Sequence, residues 1–336
     1  MPKPVPQAQS SSVLIAVSGG VDSICLLHIL ANFNASSESS YNPLSKFLKD
    51  HPLSKIEAAY IDHSQRLDTD LDVKNVQEIC QKLGVKFNST KLDLPKNCSE
   101  GLAREARYKA LNLILKDRGL DHLVTGHHTD DIVETALINL TRGTGPKGLC
   151  SLQHQPAGIW RPFIYDLQQQ EAGSHTVTKQ TLLSYAKQHN LTWNEDSTNQ
   201  SGQYLRNRIR KKLESSTPQL KQELLNLSIS NLVLTKQIDF ELQKILQAIQ
   251  SSCHTYSIVK LTELPEELQA YLVHSLLTQN CTEVSSRAVK DTLNFLNTKQ
   301  TTKILQLKGA QILILPKKYF KFLPGVSSQI ASPLKK

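Results

Sequence analysis

The sequence predicts an α/β fold: a doubly wound, Rossmann-like parallel sheet, then a helical linker and a smaller α+β C-terminal domain. Three observations predict it. The apolar, β-favouring run 13–17 is typical of a buried parallel strand. Strand-like and helix-like segments then alternate four times. The 336 residues are more than one ordinary domain requires.

Hydrophobic spacing predicts the elements in order. The predicted strands are 13–17, 56–61, 85–92, 122–125 and 159–163, and the helices between and after them are 22–30, 68–83, 100–118, 129–140, 181–190 and 206–213. Two polar stretches, 32–55 and 168–178, are interpreted as insertions. In such sheets ligands bind outside the carboxyl ends of the strands, so we expect the site to consist of polar motifs that follow strands.

The second half of the chain predicts a different organisation. A long Leu/Ile/Gln-rich helical stretch, 219–250, precedes short helices at 264–278 and 285–297 and a hairpin with strands 303–307 and 311–315. The predicted segments are a disordered tail (1–12), an α/β domain (13–215), a helical linker (216–250) and a smaller C-terminal domain (251–336).

The distribution of charge favours a polyanionic partner. The net charge is +9, and no acidic residue follows Asp291. Two basic clusters stand out: Arg206, Arg208, Arg210, Lys211 and Lys212, and the eight lysines 299, 303, 308, 317, 318, 321, 335 and 336. Nucleic acid is the commonest partner of such clusters, and a solvated basic surface is the alternative.

Composition also excludes several classes of protein. No apolar run approaches the ~20 residues of a membrane span, and the N-terminus lacks the apolar stretch of a secretory signal. The six cysteines are scattered singly without a CxxC pair, which removes the usual sequence support for zinc ribbons and thioredoxin chemistry. We expect a cytoplasmic protein, with the plastid stroma as the alternative if the gene is plastid-encoded.

The hexapeptide 18–23 is the strongest motif: Ser18, Gly19, Gly20, Val21, Asp22 and Ser23. It joins the first strand to a helix, so backbone N–H groups and the helix N-terminus converge, which is a geometry that binds phosphate. Asp22 would repel phosphate unless a cation intervenes, which suggests Mg²⁺ between Asp22 and a pyrophosphate. The alternative is a glycine turn in which Asp22 and Ser23 only cap the helix.

The segment 125–135 carries the second motif. On a helix, His127, Asp131 and Glu134 share a face, and Asp130 lies to one side within reach of Glu134. Two carboxylates can hold an ammonium and accept its proton. A zinc or iron site and a helix start with capping acids are the alternatives.

Arginines and an Asp-His pair complete the candidates. Arg104 and Arg107 are three apart on a predicted helix and suit phosphates, with Arg107 preferred; pairing with Glu100 or Glu105 is the alternative. Asp62-His63 ends the second strand, and a turn-capping role is its alternative. Arg142 opens a Gly-rich loop, which is otherwise an ordinary connection.

These motifs resemble a known family. The hexapeptide resembles the PP-loop of the N-type ATP pyrophosphatases, and no GxxxxGK[ST] is present. Residues 13–215 further resemble the tRNA(Ile)-lysidine synthetases, and the C-terminal part does so weakly. The matching segments are Asp62-His63, Gly101–Tyr108, Thr125–Thr135, the Arg142 loop, Arg161-Pro162, Glu195–Asn199 and Tyr204–Arg210.

The resemblance implies that 13–215 is a PP-loop ATP pyrophosphatase catalytic domain and that 251–336 is a tRNA-binding domain. It also implies a role for each candidate residue. Catalysis is expected from His127, Asp131, Glu134 and Arg107. ATP binding is expected from the hexapeptide with Asp62 and Gly126, and Mg²⁺ binding from Asp22. Binding of tRNA is expected from Arg142, Arg206, Arg208, Arg210, Lys317 and Lys318.

The implied reaction ligates free L-lysine to C2 of the wobble cytidine in the CAU-anticodon isoleucine tRNA. An adenylated base is the intermediate, ATP becomes AMP and pyrophosphate, and the codon read changes from AUG to AUA. The alternatives are another PP-loop enzyme such as a tRNA thiolase, or a non-catalytic tRNA-binding protein. No membrane partner is expected, and a homodimer stays open.

Overall fold

The computed structural model describes residues 10–33, 44–62, 69–95, 98–153, 158–169, 176–194, 205–281, 284–297, 304–307, 309–315 and 318–324. The chain divides into two compact units, Met1–Thr235 and Lys236–Lys336. Most of the predicted tail lies outside the described residues. Among the described residues, no helix has the length and apolar character needed to cross a membrane.

The first unit contains a five-stranded parallel sheet. Its strands are β1 (Ser11–Ala16), β2 (Leu53–Asp62), β3 (Lys86–Lys91), β4 (His122–Val124) and β5 (Ile159–Trp160), in the order β3-β2-β1-β4-β5. The order reverses between β1 and β4, and this switch point is where doubly wound sheets bind ligands. The predicted fold class is confirmed.

Helices follow the strands of this unit. They are α1 (Val21–Ala31), α2 (Ser45–Asp50), α3 (Thr69–Lys82), α4 (Glu100–Asp117), α5 (Thr129–Thr141), α6 (Pro146–Leu149), α7 (Tyr165–Gln169), α8 (Lys179–Gln188), α9 (Leu205–Glu214) and α10 (Pro218–Ile249), which continues beyond the unit. β1 is the centre of the core: Val13, Leu14 and Ile15 are fully buried. Burial of this run explains its continuous apolar sequence.

Three sequence predictions need correction. Residues 32–55 are not wholly an insertion, because Phe47 and Leu48 of α2 are buried and β2 begins at Leu53. Residues 168–178 are also partly core, since Val177 is buried and its carbonyl accepts a hydrogen bond from the Thr129 N–H at 2.9 Å. The fifth strand is shorter than 159–163, because Pro162, which has no N–H to donate, begins a 3-10 turn.

The second unit is built on an antiparallel sheet. Its strands are β6 (Gln250–Ser252), β7 (Thr255–Ser257), β8 (Ile304–Leu307), β9 (Ala310–Leu315) and β10 (Tyr319–Pro324), in the order β6-β7-β10-β9-β8, with helices α11 (Ile258–Thr262), α12 (Glu266–Asn280) and α13 (Ser286–Leu296). Residues from the sheet, from α12 and from the end of α10 share one apolar core. The expected hairpin is β8–β9.

Candidate nucleotide-binding and catalytic site

The hexapeptide forms a tight loop between β1 and α1. Gly19 has a φ of 82°, a conformation that favours glycine, and Gly20 is the N-cap of α1. The Ser23 hydroxyl accepts a hydrogen bond from the Ser18 N–H at 3.1 Å and donates to the Gly20 carbonyl at 3.0 Å. These bonds fix the loop across the start of α1, where anions bind.

Gly126 allows this loop to approach the end of β4. A Cβ atom at Gly126 would lie 3.1 Å from the backbone carbon and oxygen of Asp22 and 3.3 Å from the Ser23 nitrogen. These contacts are tighter than most contacts of real Cβ atoms, so a side chain here would require the backbone of α1 to shift by a few tenths of an ångström. Gly126 therefore sets the separation between the strand ends at the switch point.

Asp22 is held by a lysine that sequence reasoning missed. The Lys179 ammonium donates to both Asp22 carboxylate oxygens at 2.9 Å, and the Lys179 N–H donates to Asp130 Oδ2 at 2.7 Å. Lys179 is the first residue of α8 and is separated from Asp22 by 157 positions. Its only local signal is the Thr178 N-cap that starts the helix.

His128 lies among three carboxylates. Its Nε2 is 3.6 Å from Asp22 Oδ1 and from Asp131 Oδ2, and its Nδ1 is 3.4 Å from Asp130 Oδ2. Burial lowers the pKa of His128, but Asp131, Asp130 and Asp22 outweigh it, so the net pKa is raised. Burial raises the pKa of Asp131, but the charge of His128 and the His128 N–H bring its net pKa below the usual range. The cluster therefore favours a charged histidine beside ionised carboxylates.

His127 is not on the helix as predicted, because α5 begins at Thr129 with His128 as its N-cap. Its Nδ1 lies 2.8 Å from the Thr125 hydroxyl. Burial lowers the pKa of His127 to about 3, and nearby arginines lower it further while Asp131 raises it. His127 is therefore a neutral imidazole near neutral pH. Asp130 also differs from expectation, since its carboxylate contacts His128 and the Lys179 N–H.

Glu134 faces helix α9. Arg210 donates to its two oxygens at 2.7 and 3.1 Å, and Arg206 Nε lies 3.4 Å from Oε2. Both arginines share the face of α9 that is turned to Glu134, whereas Arg208 is exposed. Helical spacing predicts this divergence of Arg208 from the other two arginines.

Further arginines gather around Tyr108. The guanidinium carbons of Arg104 and Arg107 lie 5.1 and 5.4 Å from the centroid of its ring. Burial lowers the pKa of Arg107, and the charges of Arg104 and Arg206 act in the same direction. Arg161, which directly follows β5, is buried. Arg104, Arg107, Arg161 and Tyr108 are referred to below as the arginine cluster.

The remaining predicted residues lie elsewhere. Asp62 is buried at the end of β2, beside β1. Arg142 is the exposed C-cap of α5, and Lys318 is an exposed turn residue of the second unit. Lys317 lies outside the described residues, as do His63 and the segments 195–200 and 201–204.

The Asp22 carboxylate suits Mg²⁺ better than zinc or iron. Among the described residues, no group of three or more His, Cys, Asp or Glu side chains is arranged to hold a metal ion alone. Mg²⁺ is commonly bound by one or two carboxylates together with substrate phosphates. Asp22 fits that pattern, since it lies at the phosphate-binding loop and already attracts the cations Lys179 and His128.

Comparison with known proteins gives one family match. A family described as a PP-loop domain matches residues 2–217.

Several curated relatives carry the name tRNA(Ile)-lysidine synthase. The protein from Thermotoga maritima is 31% identical over 211 residues, which cover 61% of this chain and 45% of that protein. The one from Histophilus somni is 33% identical over 245 residues (71% and 50%), and the one from Clostridium tetani is 28% identical over 323 residues (92% and 63%). The chain thus spans about half the length of the first two of these relatives.

Proposed function

Because the chain belongs to the PP-loop domain family, we propose that it activates a tRNA base as an adenylate and ligates lysine to it, as a tRNA(Ile)-lysidine synthetase. The C2 oxygen of the wobble cytidine attacks the α-phosphorus of ATP, and the bond to the β-phosphate oxygen breaks to release pyrophosphate. The ε-amine of lysine then attacks C2. The C2–oxygen bond breaks, AMP leaves with the electron pair, and the amine loses a proton.

The observation that carries the proposal is the meeting of two motifs at the switch point of the sheet. The loop 18–23 binds phosphate through the start of α1, and the start of α5, with Asp131, His128 and His127, lies against it through Gly126. A phosphate site next to acidic groups suits a reaction in which a phosphate-activated carbon meets an amine.

The ATP half of the site is assigned to the loop and its neighbours. Backbone N–H groups of 18–23 would hold the pyrophosphate, and Asp62 at the end of β2 lies on the side assigned to the nucleoside. Mg²⁺ bound at Asp22 would neutralise phosphate charge. Arg107 supplies a permanent positive charge toward the charge that develops on the α-phosphate.

The lysine half is assigned to Asp131 and His127. The ionised Asp131 attracts an ammonium, and the neutral His127 has one ring nitrogen occupied by Thr125 and the other available to a substrate group. Glu134, expected to contact lysine directly, has both oxygens engaged by Arg210. In this proposal Glu134 is therefore a positioning residue that holds α9 against α5.

Contacts with tRNA are assigned to basic residues that keep exposed charge. Arg142 and Arg208 are exposed in the first unit, and Lys318 is exposed in the second. Arg206 and Arg210 are partly neutralised by Glu134, so we expect them to contribute less to phosphate binding.

A tRNA thiolase, the second candidate, has less support. Such an enzyme needs a reactive thiolate, and burial raises the pKa of Cys25 to about 12 and of Cys80 to about 11. These two thiols, the ones nearest to the phosphate loop in sequence, therefore stay protonated. A non-catalytic tRNA-binding protein would have no need for Lys179 and His128 to balance the Asp22 charge.

The experiment is ATP–pyrophosphate exchange with CAU-anticodon isoleucine tRNA, followed by incorporation of labelled lysine. We expect tRNA-dependent exchange that Asp22→Ala lowers by about a hundredfold or more, the typical cost of one lost electrostatic contact to the reacting group. The exposed carboxylate at the end of α4 supplies the control, Asp117→Ala, which should leave exchange unchanged. Exchange without lysine incorporation in the unsubstituted protein would reject the ligase assignment.

A further inference from the structure

Arg161 is a buried cation without an anion. The residue is 4% exposed, and its Nε and Nη1 atoms are buried without a hydrogen-bond partner among the described residues. No carboxylate of that part of the chain forms an ion pair with it. A buried guanidinium without a partner is strongly unfavourable in a folded protein, so this position favours a bound ligand that supplies the negative charge.

The surroundings of Arg161 increase this imbalance. Its electrostatic neighbours are Tyr108 and Arg104, and Arg104 and Arg107 both lie over the Tyr108 ring. The Tyr108 hydroxyl is buried, and its oxygen interacts with Arg161 and Arg107, but no acceptor for its proton lies among the described residues. The arginine cluster therefore combines three positive charges with an unused hydroxyl donor, and all of these groups suit an oxyanion.

The position of Arg161 limits which oxyanion can reach it. β5 pairs with β4, and the Thr125 N–H donates to the Trp160 carbonyl at 3.0 Å, so Arg161 lies beside the segment 125–127. The phosphate loop follows β1, two strands away, which is roughly 10 Å at the usual spacing between strands. The backbone of Arg161 therefore lies beyond the segment 125–127 as seen from the loop, which favours a ligand group other than the pyrophosphate held there.

His127 connects Arg161 with the acidic part of the site. Its electrostatic neighbours include both Asp131 and Arg161. A carboxylate and a guanidinium that both lie near one neutral imidazole match the two ends of a free amino acid that carries an ammonium and a carboxylate.

We propose that Arg161 binds the α-carboxylate of the amino-acid substrate while Asp131 faces its side-chain ammonium. This inference rests on the proposed function. The planar fork of Arg161 matches a carboxylate in two parallel hydrogen bonds, and the Tyr108 hydroxyl can donate a third. Its deep burial suits a small free molecule rather than a backbone phosphate of a large tRNA.

The test compares lysine with 1,5-diaminopentane, which has the same amine but no carboxylate, and with lysinamide. Each is added to pre-formed adenylated tRNA, and the rate of AMP release is measured. We expect the unsubstituted protein to prefer lysine to both analogues by at least about a hundredfold in kcat/KM, because a site built for a polar group discriminates strongly against its absence. Arg161→Met should remove this preference. The kcat/KM for lysine should fall about a hundredfold, and the kcat/KM for diaminopentane should change less than about threefold.

Two further variants separate binding from structure. Arg161→Lys keeps the charge without the fork and should retain part of the preference for lysine. Arg287→Met, in which a fully exposed arginine of α13 is changed, should behave as the unsubstituted protein. Lysine should raise the Tm of the unsubstituted protein more than diaminopentane does, and this difference should vanish in Arg161→Met, which gives a readout independent of turnover.

Other results would overturn the proposal. If Arg161→Met keeps its preference for lysine but raises the KM for ATP, Arg161 acts with Arg107 on ATP phosphate and not on the amino acid. If it keeps the preference but lowers the salt dependence of tRNA binding, the ligand is a tRNA phosphate. If the unsubstituted protein discharges adenylated tRNA equally with all three amines, no carboxylate site exists. If it forms no adenylated tRNA at all, the proposed function fails first and takes this inference with it.

Discussion

The ion pair between Glu134 and Arg210 should connect helix α5 to α9, and a double-mutant cycle can measure it. The Glu134 side chain is 6% exposed and that of Arg210 is 36% exposed. Removing one partner of a fully buried pair costs about 3–5 kcal/mol, but water can reach Arg210 and reduces that cost. We therefore expect Glu134→Gln and Arg210→Met each to lower the free energy of unfolding by about 2 kcal/mol.

The double variant should be less destabilised than the sum of the two single variants. In it, both members of the pair are uncharged, and the Arg206 contact with Glu134 is lost as it is in Glu134→Gln alone, so the coupling free energy should be about 1–2 kcal/mol. Urea unfolding followed by tryptophan fluorescence measures it, because Trp160 and Trp193, the only tryptophans, both belong to the first unit. The control cycle is Lys46→Met with Asp50→Asn, an exposed pair 3.7 Å apart, where coupling should stay below about 0.5 kcal/mol.

Two results would refute this reasoning. Strictly additive effects of Glu134→Gln and Arg210→Met would mean that the pair does not hold the helices together. If Glu134→Gln has normal stability but a strongly raised KM for lysine, Glu134 contacts lysine directly, as the sequence predicts.

Three further predictions concern the phosphate loop and stability. Gly126→Ala should raise the KM for ATP about tenfold in the exchange assay, because the added Cβ would lie 3.1 Å from the backbone of α1 and overpacking of this kind costs about 1–3 kcal/mol. The control Gly145→Ala, which has open space around it, should have no effect in the same assay. Lys179→Met should tighten Mg²⁺ binding about fivefold in calorimetric titration, since it removes a half-exposed cation that competes for the same carboxylate, and the exposed Lys187→Met should not. Arg118 lowers the pKa of Glu57 from 4.5 to about 2, so this pair stabilises the fold fully above pH 4.5 and loses that contribution as the pH falls toward 2. Between pH 4.5 and 2, the free energy of unfolding measured with urea should fall by about 1–2 kcal/mol more in the unsubstituted protein than in Glu57→Gln. This value is smaller than the full pKa shift implies because Arg118 is one third exposed.

Local sequence was sufficient to predict the phosphate loop and the sheet that carries it. A buried strand, two glycines and a helix start are all encoded within residues 13–23. The alternation of strands and helices predicts that the strands of the sheet are parallel. Composition predicted an insertion wrongly where only a few apolar residues pack into the core. Phe47 and Leu48 are buried within a stretch whose Ser/Asn content predicts an insertion.

The catalytic groups were harder to predict because their geometry depends on where a helix begins. The predicted helix start at 129 agrees with the structure, but the predicted face counted His127 as if it belonged to that helix, whereas His127 precedes the N-cap His128. As a result, His128 and not His127 lies among the carboxylates. Lys179 was beyond any spacing rule, since only the tertiary fold brings α8 to Asp22.

The charges of the first unit divide the site into two chemically different halves. At the start of α1 and α5, carboxylates already have cations: Asp22 has Lys179, and Asp131 has His128. With Asp130, three carboxylates share these two cations, so a substrate ammonium or Mg²⁺ that binds Asp22 or Asp131 must compete with a cation already present. The arginine cluster has no such counter-charge among the described residues, and an anion can bind there without displacing a partner. An amino acid that enters this site would therefore gain most from its carboxylate end, while its amine would have to compete for Asp131. This difference predicts that lysine discrimination depends more on Arg161 than on any one acidic residue.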